Sequence, residues 1–285
     1  MPVTTLLAET IDRIAACLGP DRDQLAVERV VVGLFFTGVK LNDGSTGACA
    51  TPLRELREAV CCPSSAMAMP FPGKLRGRPA AELLRLTAEP DGIRRAVGVA
   101  TMNALAAACW QRRPHPEATL RAGVDAYDAA AIRPGEHVVV VGAFVPFLKA
   151  LKAAGQSYTV LEHDPATLKP DELQHYRPAA DAPKVVPGAD VLLITGTTLL
   201  NDTLEALLRA ARPDARVVVV GPTVGLLPDV LLARGADILG GIRVTAPDAF
   251  LDTLAEGGSG YHFFGRSAEK VVLVRTTPKP ARLAA

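Results

Sequence analysis

Three short apolar runs, each followed by a turn of small residues, most constrain how this chain folds. They occupy segments 137–144, 190–198 and 216–223, and each holds a block of consecutive β-branched or aliphatic residues. Such runs are typical of strands covered on both faces of a parallel sheet. Ligands of these sheets bind outside the carboxyl ends of the strands, where the three turns lie. The pattern therefore predicts where a ligand binds, but not its chemistry.

Composition excludes several classes of protein. The chain has 285 residues, 49% of them hydrophobic and 21% charged, which suits one large globular domain or two. Aromatic residues make up 5% and the net charge is +1, so no nucleic-acid partner is expected. Charges interrupt the first apolar stretch, and no apolar run reaches the roughly 18 residues of a membrane helix. Five cysteines without disulfide spacing favour the cytoplasm.

The first part of the chain predicts a small α+β domain over residues 1–115. This prediction rests on three features: a one-sided apolar pattern over residues 3–18, a hairpin signal at Asn42-Asp43-Gly44 and a long apolar stretch over 91–110. The predicted elements are a helix over 3–18, a strand over 30–39, a second strand over 46–51, a loop over 61–78, a helix from Pro79 to Leu86 and a buried helix over 91–110. A proline-rich break at residues 112–116 is the candidate linker.

From about residue 124 the chain alternates strand, turn and helix, which predicts an open parallel sheet of about six strands with helices on both faces. We assign residues 122–285 to this parallel-sheet domain. The predicted strands are 138–141, 158–161, 184–186, 191–194, 217–220, 237–239 and 271–274. The predicted helices are 144–154, 200–210, 227–234 and 247–255.

The turn after the first run occupies the place of a dinucleotide fingerprint but lacks its glycine spacing. Gly142 is followed by Ala143 and Phe144, and a bulky ring there disfavours a pyrophosphate held on the backbone. Glu162 stands about 20 residues further on, where nucleotide-binding folds place a ribose-binding acid. Alternatively, Glu162 and Asp164 cap the next element.

The segment from Thr195 to Thr203 is the richest in polar chemistry. Hydroxyl groups and backbone N–H groups near the start of a helix favour a phosphate or carboxylate. Helix capping by Thr197 or Thr198 is the alternative. With the other strand ends, the predicted ligand cleft is lined by Gly142, Phe144, Glu162, Thr195, Gly196, Thr197, Thr198, Asn201, Gly221, Pro222 and Thr223.

Metal-binding signatures such as C-x-x-C or H-x-x-x-H are absent from the sequence. The thiols of Cys49, Cys61 and Cys62 are candidate ligands for a soft transition-metal ion, because thiolates suit such ions. Their alternative role is that of small buried hydrophobic residues. His163 could add a nitrogen ligand beside Glu162, although neighbours along a strand point to opposite faces.

These residues carry a resemblance to a known family. Segments 138–144, 161–162, 194–203 and 220–223 resemble the DUF364 domain, whose description refers to heavy-metal chelation. Segments 32–39, 47–49 and 100–104 are similar to the companion DUF4213 domain. The resemblance implies an amino-terminal domain like that of enolase and a Rossmann-like carboxy-terminal domain. It brings no agreed catalytic residues.

Two functions remain open at this point. The first is a cytoplasmic protein that binds a metal ion or metal chelate, or another small anionic ligand, between the two domains. The second is an enzyme of the transferase or lyase class that acts on an anionic small molecule with a nucleotide-type cofactor. A structural subunit is a third possibility. A homodimer is expected, because symmetric dimers are the commonest oligomers.

Overall fold

The computed structural model describes residues 5–53, 69–90, 92–113, 115–225 and 227–279. Its strands form a three-stranded antiparallel sheet of order β1-β2-β3 and an eight-stranded sheet. The small sheet consists of β1 (Val27–Val32), β2 (Phe36–Leu41) and β3 (Thr46–Ala50). Helix α1 (Leu6–Leu18) precedes it, capped by the Thr5 hydroxyl, which accepts a hydrogen bond from Ala8 N at 3.2 Å.

The predicted hairpin at Asn42-Asp43-Gly44 is confirmed, since β2 and β3 pair antiparallel on either side of it. The single strand predicted over 30–39 is wrong. This run turns back between Val32 and Phe36 and forms the antiparallel pair β1–β2. Gly33 lies in this turn, where a Cβ would lie 2.2 Å from the carbonyl oxygen of Leu254. Only glycine therefore fits at this close approach to a helix far along the chain.

Helix α3 (Ile93–Arg112) is almost entirely buried, as its apolar sequence predicts. It lies directly on β3: a Cβ on Gly47 would come within 2.2 Å of Ala104 N. The helix predicted from Pro79 to Leu86 is split into α2 (Ala80–Leu83) and a 3₁₀ helix, Leu84–Ala88. The predicted loop over 61–78 is described only from residue 69 onward.

The large sheet has the order β4-β11-β10-β9-β8-β5-β6-β7. Its strands are β4 (Ala118–Ala122), β5 (Val138–Val141), β6 (Tyr158–Glu162), β7 (Tyr176–Pro178), β8 (Val191–Thr195), β9 (Arg216–Val220), β10 (Ile238–Val244) and β11 (Ala268–Arg275). The six strands from β10 to β7 are parallel, while β11 runs antiparallel to both β10 and β4. The chain adds β6 and β7 on one side of β5 and β8 to β10 on the other, so the strand order reverses between β5 and β8.

The remaining helices connect these strands. They are α4 (Ala126–Ala129), α5 (Val145–Ala153), α6 (Ala182–Val185), α7 (Leu204–Ala210), α8 (Asp229–Ala233), α9 (Pro247–Ala255) and α10 (Gly260–Phe263). The strand predicted at 184–186 is wrong, because these residues lie in α6 and the following 3₁₀ turn, and β7 forms the edge instead. The helix predicted from Leu200 begins only at Leu204. The predicted 271–274 strand exists within β11, but it is antiparallel.

The two sheets share one hydrophobic core. Val139 and Val141 of β5 belong to a continuous cluster with Leu7 of α1 and Leu105 of α3. The alternate residues of the same strand pack in a second cluster on the opposite face, which contains Phe147. This alternation confirms that the parallel strands are covered on both faces. Within the described part of the chain, no helix is both long and apolar enough to cross a membrane.

Candidate functional site

A cleft of about 230 Å³ opens at the carboxyl edge of the large sheet, where the strand order reverses. The ends of β5, β6 and β8 form its floor, and α6 and α7 form its apolar wall. It holds six of the predicted ligand-binding residues: Gly142, Glu162, Thr195, Thr197, Thr198 and Asn201. The topology therefore brings together residues from three of the four predicted strand ends, and the residues after β9 do not line this cleft.

The threonine turn after β8 is held by its own hydroxyl groups. Thr195 Oγ1 accepts a hydrogen bond from Thr197 N at 3.3 Å and lies 3.0 Å from Thr197 Oγ1. Thr198 Oγ1 donates to the Thr195 carbonyl at 2.6 Å. Capping is thus performed by Thr195, at the start of the 3₁₀ helix Gly196–Leu199, and not by Thr197 or Thr198. The exposed Thr197 is the member of this turn that reaches solvent.

Asn201 lies on the same rim in a second capped turn. Its Oδ1 accepts hydrogen bonds from Thr203 N at 3.3 Å and from Thr203 Oγ1 at 2.6 Å. The Nδ2 amide group makes no hydrogen bond with the described residues, so it can donate to a bound molecule. Asn201 is exposed and lines the cleft. Its carboxamide therefore offers a donor at the rim.

Glu162 ties two strand ends together. One carboxylate oxygen accepts from Ala143 N at 2.9 Å, and the other accepts from His163 N at 2.7 Å. The predicted capping role belongs to Asp164, whose Oδ1 accepts from Ala166 N at 2.9 Å. Glu162 thus brings negative charge to the cleft while fixing the turn after β5.

His163, Thr203 and the apolar wall were not predicted as cleft residues. His163 lines the same cavity as Glu162, because β6 ends at Glu162 and strand alternation no longer applies beyond it. The wall consists of Ala179, Ala182, Pro183, Ala206, Leu207 and Ala210. Its α6 residues, Ala182 and Pro183, lie just before the strand predicted at 184–186, and the sequence pattern indicates no helix there. The position of His163 directly after a parallel strand was the available signal.

The other predicted residues do not line this cleft. Phe144, Gly221 and Pro222 line a separate cavity of about 180 Å³. Gly196 is buried against Val224, whose Cγ2 would lie 2.9 Å from an added Cβ. Thr223 is buried, and its Oγ1 accepts a hydrogen bond from Ala50 N of β3 at 3.0 Å. Gly196 and Thr223 therefore belong to the framework of the fold.

Of the three candidate thiol ligands, the structure describes one. Cys49 is buried in β3. Cys61 and Cys62 lie outside the described residues. Among the residues that are described, no group of three or more His, Cys, Asp or Glu side chains could hold a metal ion.

A different pair of thiols is in contact, Cys17 of α1 and Cys109 of α3. Burial raises the pKa of the Cys109 thiol, and the neighbouring Cys17 thiol raises it further. No sequence pattern indicates this pair, because α1 and α3 meet only in the folded protein.

The donor groups of the cleft do not match those of a soft metal ion. They are hydroxyl, carboxamide, carboxylate and imidazole groups, whereas soft ions prefer thiolates. The Glu162 carboxylate also already accepts backbone hydrogen bonds. Hydroxyl and amide groups instead suit the oxygen atoms of an organic molecule.

Two family models match the chain. The DUF364 model, described as "Putative heavy-metal chelation", matches residues 125–273. The DUF4213 model carries the same description and matches residues 15–106. An uncharacterized protein of Methanocaldococcus jannaschii is 27% identical over 188 residues, which cover 65% of this chain and 68% of that protein.

Two solved structures share the fold. A DUF364 protein of unknown function from Pyrococcus horikoshii aligns with a TM-score of 0.72 at 20% identity, and the alignment covers 94% of this chain and 99% of that one. A DUF364 protein of unknown function from Desulfitobacterium hafniense aligns with a TM-score of 0.70 at 19% identity, with the same coverage. These likenesses establish the Rossmann-like α/β architecture.

Proposed function

The chain belongs to the DUF364 family, and from that membership and the chemistry of the cleft we propose that it binds a metal chelate. In this proposal the metal ion arrives already enclosed by an organic ligand with anionic or other oxygen acceptors. Thr197 and Asn201 donate hydrogen bonds to that organic shell, and the wall formed by α6 and α7 packs against its carbon atoms. The metal is cargo rather than a resident cofactor.

The observation that carries this proposal is the mixed lining of the cleft. One side offers hydroxyl and carboxamide donors on a capped turn, and the other is built from alanine, proline and leucine side chains. Sites for small organic molecules combine an apolar surface with a few fixed polar groups. A bare soft ion has no carbon atoms to pack against the apolar wall, whereas an organic shell does.

The proposal extends to the setting of the protein. We place it in the cytoplasm, where its cysteines remain reduced. We also propose that residues 1–115 and 122–285 form its two domains and that it assembles as a homodimer. Light scattering at micromolar concentration tests the assembly, since a mass near the 29.9 kDa of one chain contradicts the dimer.

Native mass spectrometry and elemental analysis of untagged protein test the function. We expect bound metal to be accompanied by an organic mass, and both to be lost together in the double variant Thr197→Val/Asn201→Leu. Thr119→Val, an exposed threonine on the edge strand β4, is the matched control and should retain both. Metal that is held without an organic mass, or equal retention by the double variant, contradicts the proposal.

One observation favours the second candidate function, catalysis on an anionic small molecule. The imidazole of His163 lines the cleft next to Glu162 and makes no hydrogen bond with the described residues. Histidine is the side chain best suited to proton transfer near neutral pH. If the retained organic molecule is consumed on incubation with fresh protein, and His163→Asn stops this without releasing the molecule, the protein is an enzyme.

A further inference from the structure

A second cavity lies at the same edge of the large sheet but on its opposite face. Its volume is about 180 Å³, and the ends of β5 and β9 and the middle of β10 contribute to it. Phe147 and Ala126, which line it, pack in the core cluster of that face. The residues of the cleft pack in the other cluster, to which Val141 and Leu207 belong. The turn from Gly142 to Phe144 separates the two cavities.

The lining of this cavity combines exposed backbone with aromatic rings. Gly221, Pro222, Gly240 and Gly241 contribute the backbone-rich part. The aromatic rings belong to Phe144, Phe147 and Phe264. Glycine residues let the backbone come close to a ligand, and aromatic faces favour stacked partners.

Two of these rings pack against each other. The rings of Phe144 and Phe147 are stacked, with centroids 5.0 Å apart and planes inclined by 20°. The ring of Tyr127 packs against that of Phe147, with centroids 5.4 Å apart, so it adds a third ring to this cluster. Phe144 is only partly buried and presents its ring to the cavity.

A cation lies at the mouth of this cavity. Lys270 Nζ donates to Asp125 Oδ2 at 2.6 Å and lies 5.5 Å from the centroid of the Phe264 ring. Its side chain is 47% exposed, whereas that of Asp125 is 28% exposed. An ammonium group has three N–H donors, and the carboxylate uses one of them. The remaining donors can meet an acceptor on a molecule that enters the cavity.

The volume suits one ring. An apolar protein cavity of about 150 Å³ is sufficient to bind benzene, and this one measures about 180 Å³. We propose that the cavity is a second small-molecule site, which takes a single flat aromatic ring bearing a carboxylate or similar acceptor. The ring packs against Phe144, and its acceptor meets Lys270. This site does not depend on the proposed chelate function of the cleft.

Titration of the full chain with benzoate and with cyclohexanecarboxylate tests the proposal. The two probes share a charge and a carbon count, but only benzoate is flat. We expect saturable benzoate binding by calorimetry and ligand-observed NMR, and binding of the saturated probe weaker by about tenfold or more. Absence of saturable benzoate binding, or equal binding of the two probes, overturns the proposal.

Variants locate the binding. Val124→Phe places a ring in the cavity and should abolish benzoate binding, and Lys270→Gln should weaken it by about tenfold. Lys270→Arg keeps the charge and should retain most of the affinity, which separates loss of charge from loss of fold. Thr197→Val changes only the cleft and should leave benzoate binding unaltered. Benzoate affinity that survives both Val124→Phe and Lys270→Gln, or that falls in Thr197→Val, overturns the assignment.

Discussion

Arg95 and Asp202 form a two-point ion pair that joins helix α3 to the rim of the cleft. Arg95 Nη1 donates to Asp202 Oδ2 at 2.8 Å, and Nη2 contacts the other carboxylate oxygen. Nη2 also donates to the Leu199 carbonyl at 3.1 Å. The Arg95 side chain is 6% exposed, and Asp202 adopts a left-handed φ of 56° next to Asn201. The amino-terminal part of the chain therefore holds the turn that carries Asn201.

Replacing Asp202 by Asn should lower the free energy of unfolding by about 1.5–3 kcal/mol, because it leaves a buried guanidinium without its charged acceptor. Urea denaturation measures this. Asp214→Asn is the control, since Asp214 is 74% exposed and Asp202 65%, so the two carboxylates are similarly exposed. Its partner Arg212 is 37% exposed, whereas Arg95 is 6% exposed, so the effect of Asp214→Asn should stay within about 0.5 kcal/mol. If the two substitutions lower the free energy of unfolding equally, burial of the Arg95 guanidinium does not have the importance we give it.

Gly47→Ala should destabilise the protein by about 3 kcal/mol or more, because overpacking against backbone cannot be relieved by a side-chain rotation. The added methyl group would meet Ala104 N at 2.2 Å and Ala100 O at 2.5 Å. Gly188→Ala is the matched control: nothing lies within 4 Å of its Cβ position, and it should be neutral or stabilise by up to about 1 kcal/mol. Thermal melts of both variants measure these effects. An unchanged melting temperature for Gly47→Ala refutes the close approach of α3 to β3.

Cys109 should resist alkylation in the folded protein while Cys17 reacts. The raised pKa of Cys109 keeps it a thiol at about pH 8, and only the thiolate is the nucleophile. Cys17 is exposed and should be labelled first, as peptide mapping by mass spectrometry will show. In Cys17→Ser, Cys109 should stay slow, since burial is the larger cause of its raised pKa. Rapid labelling of Cys109 in native protein argues against this packing of α1 on α3.

Glu9 should make stability depend on pH in the acid range. Its two carboxylate oxygens accept from Arg234 at 2.8 and 2.9 Å, and this hydrogen bonding holds the pKa of Glu9 below its ordinary value of 4.5. A carboxyl whose pKa is lowered by folding stabilises above its unfolded-state pKa and loses that contribution as pH falls through the folded-state pKa.

Thermal melts of wild type and Glu9→Gln between about pH 3 and pH 7 test this dependence. The melting temperature of wild type should exceed that of Glu9→Gln by the largest amount near neutral pH. This difference should shrink as the solution becomes acidic. Asp12→Asn, at an exposed position of the same helix, is the control. A difference that stays constant over the whole range contradicts the linkage.

The two sheets should unfold together, although we propose two domains. Residues of α1, α3 and the parallel strands share one core cluster, so separating the parts would expose it. A single calorimetric transition is expected, with equal calorimetric and van't Hoff enthalpies. Two resolved transitions show instead that each domain is stable alone.

The parallel strands could be predicted because each is an apolar run covered on both faces. The adjacency of β5, β8 and β9 follows from that pattern and is confirmed by the register Val141–Ile194 and Ile194–Val219. The turn at Gly33 could not be predicted, since the backbone that approaches Gly33, the carbonyl of Leu254, lies far along the chain. Short apolar runs such as Val185-Val186 do not distinguish strand from helix, which explains the error at α6.

The candidate site was predicted in part for a related reason. The sequence places Gly142 and Phe144 in one turn, but it does not indicate that this turn lies between two cavities on opposite faces of the sheet. Gly142 lines the cleft and Phe144 lines the aromatic cavity. Residues that follow a strand can leave it on either side, and only the packing of the next helix decides between them.

Asn103 gives the molecule a mechanical property. Its side chain is buried at 4% exposure, and the single Nδ2 group donates to Ala48 O at 2.8 Å and to Thr223 O at 2.9 Å. Ala48 lies in β3 of the small sheet, and Thr223 lies in the 3₁₀ helix that follows β9 of the large sheet. A rotation of one sheet against the other would break at least one of these bonds and leave a buried polar group without its partner. We therefore expect the two sheets to move together, so that closure of one sheet over the other does not enclose the cleft.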